Sequence, residues 1–268
     1  MTAATLSVRG ATKRFGAVLA LDAVDLDARA GEVVAILGDN GAGKSTLIKC
    51  ISGVHRLDEG SISINGDPVH LSSPAAARAH GVETVYQDLA LFDNLDPAAN
   101  FYAGREDAGP RWMPRPLRLL RRKPMAEATR SVLDRLNVNL PDQSAAVGLM
   151  SGGQRQVIAV ARAAAFASKV VILDEPTAAL GVRESRRVLD LILRLRAEGH
   201  AVIVISHAMD HVTEVADRAI VMRRGRVVGE EIPSEESQGR IVALIVGSTT
   251  DRRDPTQTQT RTTPTDPV

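Results

Sequence analysis

The chain is poor in the residues that would staple it or anchor it in a membrane. Cys50 is the one cysteine in 268 residues, so no disulfide can form within the chain. Aromatic residues make up 3%, which leaves the core to Val, Ile, Leu and Ala. An excess of one charge is also missing. The 33 basic and 32 acidic residues leave +1, and no global field draws the protein to nucleic acid or anionic lipid. Long apolar runs are absent as well. Charge-free stretches such as residues 163–167 and 201–205 fall far short of the ~20 residues that span a bilayer. Residues 1–9 lack a basic segment followed by a long apolar core, so no secretory signal is expected. No internal repeat is visible. What remains is ordinary: 44% hydrophobic and 24% charged residues, in a length suited to one or two domains. The expectation is a soluble, cytosolic, globular protein.

Val33-Val34-Ala35-Ile36-Leu37, Val170-Val171-Ile172-Leu173 and Ala201-Val202-Ile203-Val204-Ile205 are continuous apolar runs. Each reads as a strand buried on both faces, the pattern of a parallel sheet covered by helices. Helical patterns alternate with them at 44–52, stopping at Gly53, at 154–167, and at 184–197, stopping at Gly199. The expected class is α/β with a mainly parallel sheet. Residues 5–30 and 61–70 alternate and carry the turn Asn65-Gly66, which predicts short strands in an antiparallel β layer. Residues 95–150 hold several prolines and no strong strand run, and predict a helical insertion. Residues 111–123 contain six basic and no acidic side chains, either a solvated helical face or a surface for a partner or lipid headgroups. Eight of the last 21 residues are threonine, and residues 248–268 read as a disordered tail. The expected organisation is one domain over 1–247, with a helical subdomain at about 95–165, followed by the tail.

Gly38, Asp39, Asn40, Gly41, Ala42, Gly43, Lys44, Ser45 and Thr46 follow the first buried run and open a helix. They fit G-x-x-x-x-G-K-[ST] in its strand–loop–helix setting. Glycines let successive N–H groups turn inward into an anion nest, and the helix N-terminus adds positive potential. Lys44 would reach terminal phosphates, and the Ser45 hydroxyl could ligate Mg²⁺. The bland alternative is a glycine turn that caps a helix and binds nothing. The second run ends in Asp174-Glu175-Pro176-Thr177, where open α/β sheets bind ligands. Successive strand side chains point oppositely, so the two carboxylates should differ in role. Asp174 would hold Mg²⁺, and Glu175 would polarise the water attacking the γ-phosphate.

Met150-Ser151-Gly152-Gly153-Gln154-Arg155-Gln156 precedes the acidic strand end, and Ser206-His207 follows the third run. Phosphate loop, Ser-Gly-Gly-Gln, acidic strand end and histidine, in this order over residues 5–246, resemble the ATP-binding subunits of ABC transporters. The resemblance implies a P-loop NTPase core with the ABC ATPase fold, and ATP with Mg²⁺ as cofactors. It also implies that Phe15 stacks on adenine, that Gln87 meets Mg²⁺ or the attacking water and links that site to a membrane subunit, and that His207 contacts the γ-phosphate and holds the water of Glu175. The alternatives for these three are core packing, a plain loop amide and a core histidine.

Ser151 and the glycines after it cap a second helix N-terminus suited to an anion. In the family, the Ser151, Gly152, Gly153 and Gln154 of one subunit face the ATP held by Lys44 of another, so the partner is a second copy arranged head to tail. One departure stands out: the family usually has an aspartate after Leu180, and this chain has Gly181.

Glu83-Thr84-Val85-Tyr86-Gln87-Asp88-Leu89 and Glu175-Pro-Thr-Ala-Ala-Leu-Gly-Val182 resemble the ribose/xylose/fructose-type importer branch. Many of those ATPases are two fused cassettes, whereas one is present here. That resemblance implies a peripheral ATPase on the cytoplasmic face of the cell membrane. It would work with permease subunits and, indirectly, a solute-binding protein. The alternatives are an importer ATPase for another small solute, a soluble ABC ATPase acting on nucleic acid or ribosomes, and a regulatory ATP binder. The near-neutral charge disfavours nucleic acid. The intact Lys44, Asp174, Glu175 and His207 set disfavours binding without hydrolysis.

Overall fold

The computed structural model describes residues 4–109 and 119–247. Most of the basic stretch 111–123 and the whole tail 248–268 lie outside the described residues, and so do the expectations for them.

Two sheets build the protein. An antiparallel sheet has the order β2-β1-β4-β5, from β1 (Ala4–Phe15), β2 (Val18–Arg29), β4 (Glu59–Ile64) and β5 (Asp67–Val69). The β4–β5 hairpin turns at Asn65-Gly66, both with positive φ, as a two-residue I′ turn demands. The strands at 5–30 were expected to be short, but β1 and β2 run 12 residues each. The reason is a change of phase. Leu6 and Val8 of β1 are buried, then Ala11, and the register shifts between Val8 and Ala11. In β2 the inward set moves from Leu21 to Val24, Leu26 and Ala28 across Ala23, whose φ is 51°. Bulges of this kind break one long alternation into apparent fragments.

The six-stranded sheet has the order β10-β9-β3-β8-β7-β6. Its strands are β3 (Val33–Leu37), β6 (Val82–Val85), β7 (Val170–Asp174), β8 (Ala201–Ile205), β9 (Arg218–Arg223) and β10 (Arg226–Glu231). Every neighbouring pair is parallel except β9 and β10. The three apolar runs are its central strands, and alternate side chains enter opposite cores. Val34, Ile36, Val170, Ile172, Ala201 and Ile203 pack with α1 (Lys44–Ile51) and the antiparallel sheet. Val33, Val171, Leu173, Val202 and Val204 pack with α5 (Gly152–Phe166) and α6 (Val182–Ala197). Ala35 and Leu37 meet α7 (Met209–Val215) and α8 (Gln238–Val246). Each fully buried Val, Leu or Ile contributes about 1.5–3 kcal/mol of transfer free energy, which is why apolar positions cannot be spared on either face.

A short α2 (Pro74–Ala79) precedes β6. Between β6 and β7 the chain is mainly helical, with α3 (Pro97–Tyr102), α4 (Arg122–Arg135), a 3₁₀ turn at Val147–Leu149, and α5. The parallel register aligns the strand ends. Ile36 and Asp174 both pair with Ile205, and Val85 pairs with Leu173. The residues that follow β3, β6, β7 and β8 therefore emerge along one edge.

Candidate active site

That edge holds a cavity of about 420 Å³, lined by residues 40–46 and by Gln87, Asp174, Glu175 and His207. The size is that of a small-molecule site. Residues 38–46 form the turn between β3 and α1, and two glycines are fixed by backbone crowding. Gly38 has φ 150°, and a β-carbon there would sit 2.3 Å from the Met222 carbonyl oxygen. Gly43, the N-cap of α1, has φ 104°, and its β-carbon would meet the Ala20 carbonyl oxygen at 2.7 Å. Nothing lies within 4 Å of a β-carbon built on Gly41, which is the open side of the loop. Lys44 is buried, and its ammonium donates to the carbonyls of Gly38 (2.7 Å) and Asp39 (3.0 Å). Burial pulls its pKa below the usual lysine value, opposed by Glu175, Asp39 and Asp174.

The two carboxylates do not follow the strand alternation expected of them, since both line the cavity. Glu175 has φ 52°, a left-handed conformation that costs a non-glycine residue about 1–3 kcal/mol. Its N–H still donates to Ile205 O at 3.0 Å, but the strand ends there and the side chain turns back into the site. Glu175 Oε1 lies 3.0 Å from His207 Nε2. Burial raises the pKa of Glu175, His207 opposes this, and Asp174 adds to it. Burial likewise raises Asp174, against Lys44, Lys49 and His207. Gln87 enters from the loop after β6. Its neighbour Tyr86 donates to Ser52 Oγ at 2.7 Å, tying that loop to the end of α1.

The Ser45 hydroxyl, Gln87 amide and Asp174 carboxylate offer hard oxygen donors in one cavity. Among the described residues no cluster of three or more His, Cys, Asp or Glu could hold a metal alone. A donor set this sparse fits Mg²⁺, which keeps waters and shares phosphate oxygens with its protein ligands.

Phe15 lies outside the cavity lining. It pairs with Val18 across the β1–β2 hairpin, and Val18 lines the cavity instead. The Phe15 ring is 44% exposed, meets His55 edge-on at 5.2 Å, and has the Lys13 ammonium 5.5 Å from its centroid. It is a surface ring, not a core residue. Arg224, in the β9–β10 turn, lines the cavity and was missed in the sequence, although the run Arg223-Arg224-Gly225-Arg226 is a basic turn. The turn is fastened by Gly225 N–H to Ala42 O and Asp22 N–H to Gly225 O, both 2.9 Å.

Ser151, Gly152, Gly153 and Gln154 are not among the residues lining the Lys44 cavity. Ser151 caps α5 as expected. Its hydroxyl accepts from Gln154 N–H at 3.2 Å, and Gln154 Oε1 accepts from Ser151 N–H at 2.9 Å. The Ser151 cap was legible in the sequence, and the return bond to Gln154 makes it a capping box. Gly181, where the resemblance leads one to expect aspartate, is the N-cap of α6.

The family model described as ABC transporter matches residues 21–178. The chain is 50% identical over 244 residues to the fructose import ATP-binding protein FrcA of Rhizobium meliloti, covering 91% of this chain and 94% of that one. It is 46% identical over 240 residues to the xylose/arabinose import ATP-binding protein XylG of Sulfolobus acidocaldarius, covering 90% and 93%. The crystal structure of the ADP conformation of an ABC transporter's ATP-binding cassette superposes with a TM-score of 0.77 at 26% identity, covering 92% of this chain and all of that one.

Because the Ala20 carbonyl leaves no room at residue 43, Gly43→Ala should weaken ATP binding by at least about tenfold, or 1.4 kcal/mol, in a calorimetric titration. An unchanged affinity would contradict the crowding argument.

Proposed function

The chain belongs to the ABC transporter family, and from that premise we propose that it is the ATP-hydrolysing subunit that energises import of a monosaccharide through separate permease subunits. The sugar class follows its similarity to import ATP-binding proteins for fructose and for xylose/arabinose. No helix among the described residues is long and apolar enough to cross a membrane. The reading gives the pore to permease subunits, with a solute-binding protein delivering the sugar to them, and seats this chain on the membrane's cytoplasmic face.

The observation that carries the hydrolytic reading is the Glu175–His207 pair, 3.0 Å apart in the same cavity as Lys44. On ATP binding, Lys44 exchanges two carbonyl partners for phosphate oxygens, and the N-terminus of α1 adds its dipole. Ser45, Gln87 and Asp174 would hold Mg²⁺, which when bound neutralises charge on the phosphates. Glu175 accepts a proton from the attacking water, and His207 orients the carboxylate. Phe15, exposed at the hairpin beside Val18, is available to an adenine face. Ser151 and Gly153 stand apart from Lys44, and the reading places them against the nucleotide of a second copy, head to tail. ATP-driven closure and reopening of that pair would then move the permease between two arrangements.

Glu175→Gln should lower hydrolysis by roughly 10²–10⁴-fold when assayed with the permease. Near-wild-type turnover would overturn the role of Glu175. The pH profile gives a second check. A buried base works only above its raised pKa, so the acid limb of kcat should lie above the usual glutamate range. His207 holds that pKa down, so His207→Ala should move the limb further up. A limb that stays put or moves down would contradict the pairing.

A further inference from the structure

The first turns of α5 and α6 touch through one side chain. Glu184, the acidic residue in the first turn of α6, lies on Gly153. A β-carbon at residue 153 would come within 2.2 Å of Glu184 Cγ and 2.7 Å of its Cβ. The same side chain closes on Gly181, where a β-carbon would stand 2.7 Å from Glu184 Oε2. Glu184 thus fills the space left by two missing side chains. One belongs to the Ser-Gly-Gly-Gln turn, and the other ends the segment that begins at Glu175.

That segment is a chain of tight turns. Ala178 N–H donates to Glu175 O at 3.1 Å, Leu180 N–H to Thr177 O at 3.4 Å, and Ser185 N–H to Gly181 O at 2.9 Å. Ala179, with φ 58°, is held left-handed between them. The capping box of Ser151 and Gln154 fixes the shape of the first turn of α5. Gly153 within that turn rests on Glu184, while Ser151 and Gly152 are exposed. Nothing lies within 4 Å of a β-carbon at Gly152, so the turn is supported from beneath and open above.

We propose that Glu184 is a positioning residue. It couples residues 175–181 to the Ser151–Gly153 turn, and so sets how that turn is presented to the nucleotide of a second copy. The inference rests on the head-to-tail reading above. The coupling works by packing through Cβ, Cγ and one carboxyl oxygen, all of which glutamine retains. Alanine would leave a gap under Gly153 into which the turn can tilt.

The test uses the full chain carrying Glu175→Gln, with ATP-driven dimerisation measured by sedimentation, ATP affinity measured on dilute monomer, and the melting temperature recorded. Adding Glu184→Ala should weaken dimerisation by about tenfold and leave the other two readings in place. Adding Glu184→Gln should restore it. Dimerisation as tight as the parent's in the alanine variant would overturn the proposal. So would an equal loss in both variants with a lowered melting temperature, which would make the contact merely structural. A parent that does not dimerise with ATP, or that dimerises equally well after Ser151→Ala, would overturn the head-to-tail reading and this inference with it.

Discussion

The site depends on backbone meeting backbone with no side chain between. Gly38 lies under the Met222 carbonyl and Gly43 under that of Ala20. Three segments far apart in the chain are thereby locked together: the start of β2, the β3–α1 turn and the end of β9 with the turn that follows it. Hydrogen bonds from Gly225 to Ala42 and from Asp22 to Gly225 close the lock. Any β-carbon in these contacts would push the N-terminus of α1 away from the cavity, and with it Lys44 and Ser45. The antiparallel sheet matters to the site for this reason: β2 forms one wall of the loop proposed to hold phosphate.

Burial does the electrostatic work. The same desolvation that lowers Lys44 raises Asp174 and Glu175, so the charged form of each costs more here than in water and is sustained by the opposite charges around it. Lys44 rests on two carbonyls, an arrangement that a phosphate can displace without breaking an ion pair. Glu175, turned into the cavity by its left-handed backbone, rests on His207. The strain there is local and lies where the proposed chemistry needs a carboxylate out of line with its strand.

Legibility followed burial symmetry. β3, β7 and β8 were readable because both faces are buried, so every residue is apolar, and the phosphate loop was readable because its glycines are obligatory. β1 and β2 were misjudged in length because bulges shift their alternation midway. β6 was not recognised as a strand because Glu83 interrupts it. That glutamate is buried and paired with Arg105 at 2.6 Å, a compensation visible only in three dimensions. β9 offers four apolar residues between Arg218 and Arg223, as many as β7, and was passed over because arginines bound the run on both sides in place of a motif that draws attention to it. At the site, the residue types and their order were legible. The convergence of Asp174 and Glu175, the place of Arg224 and the contact of Glu184 with Gly153 depend on backbone angles and tertiary approach that spacing does not encode.

One molecule carries the 38–46 loop with Glu175 beside it and, outside that cavity, a second capped helix N-terminus. The account treats these as two halves of a site completed by another copy, and the most direct test is complementation. Lys44→Ala removes one half and Ser151→Ala the other, so each variant alone should hydrolyse ATP near background. Mixed, they can form dimers with one intact composite site, and hydrolysis should rise well above the sum of the separate variants. A mixture that never exceeds that sum would contradict the account.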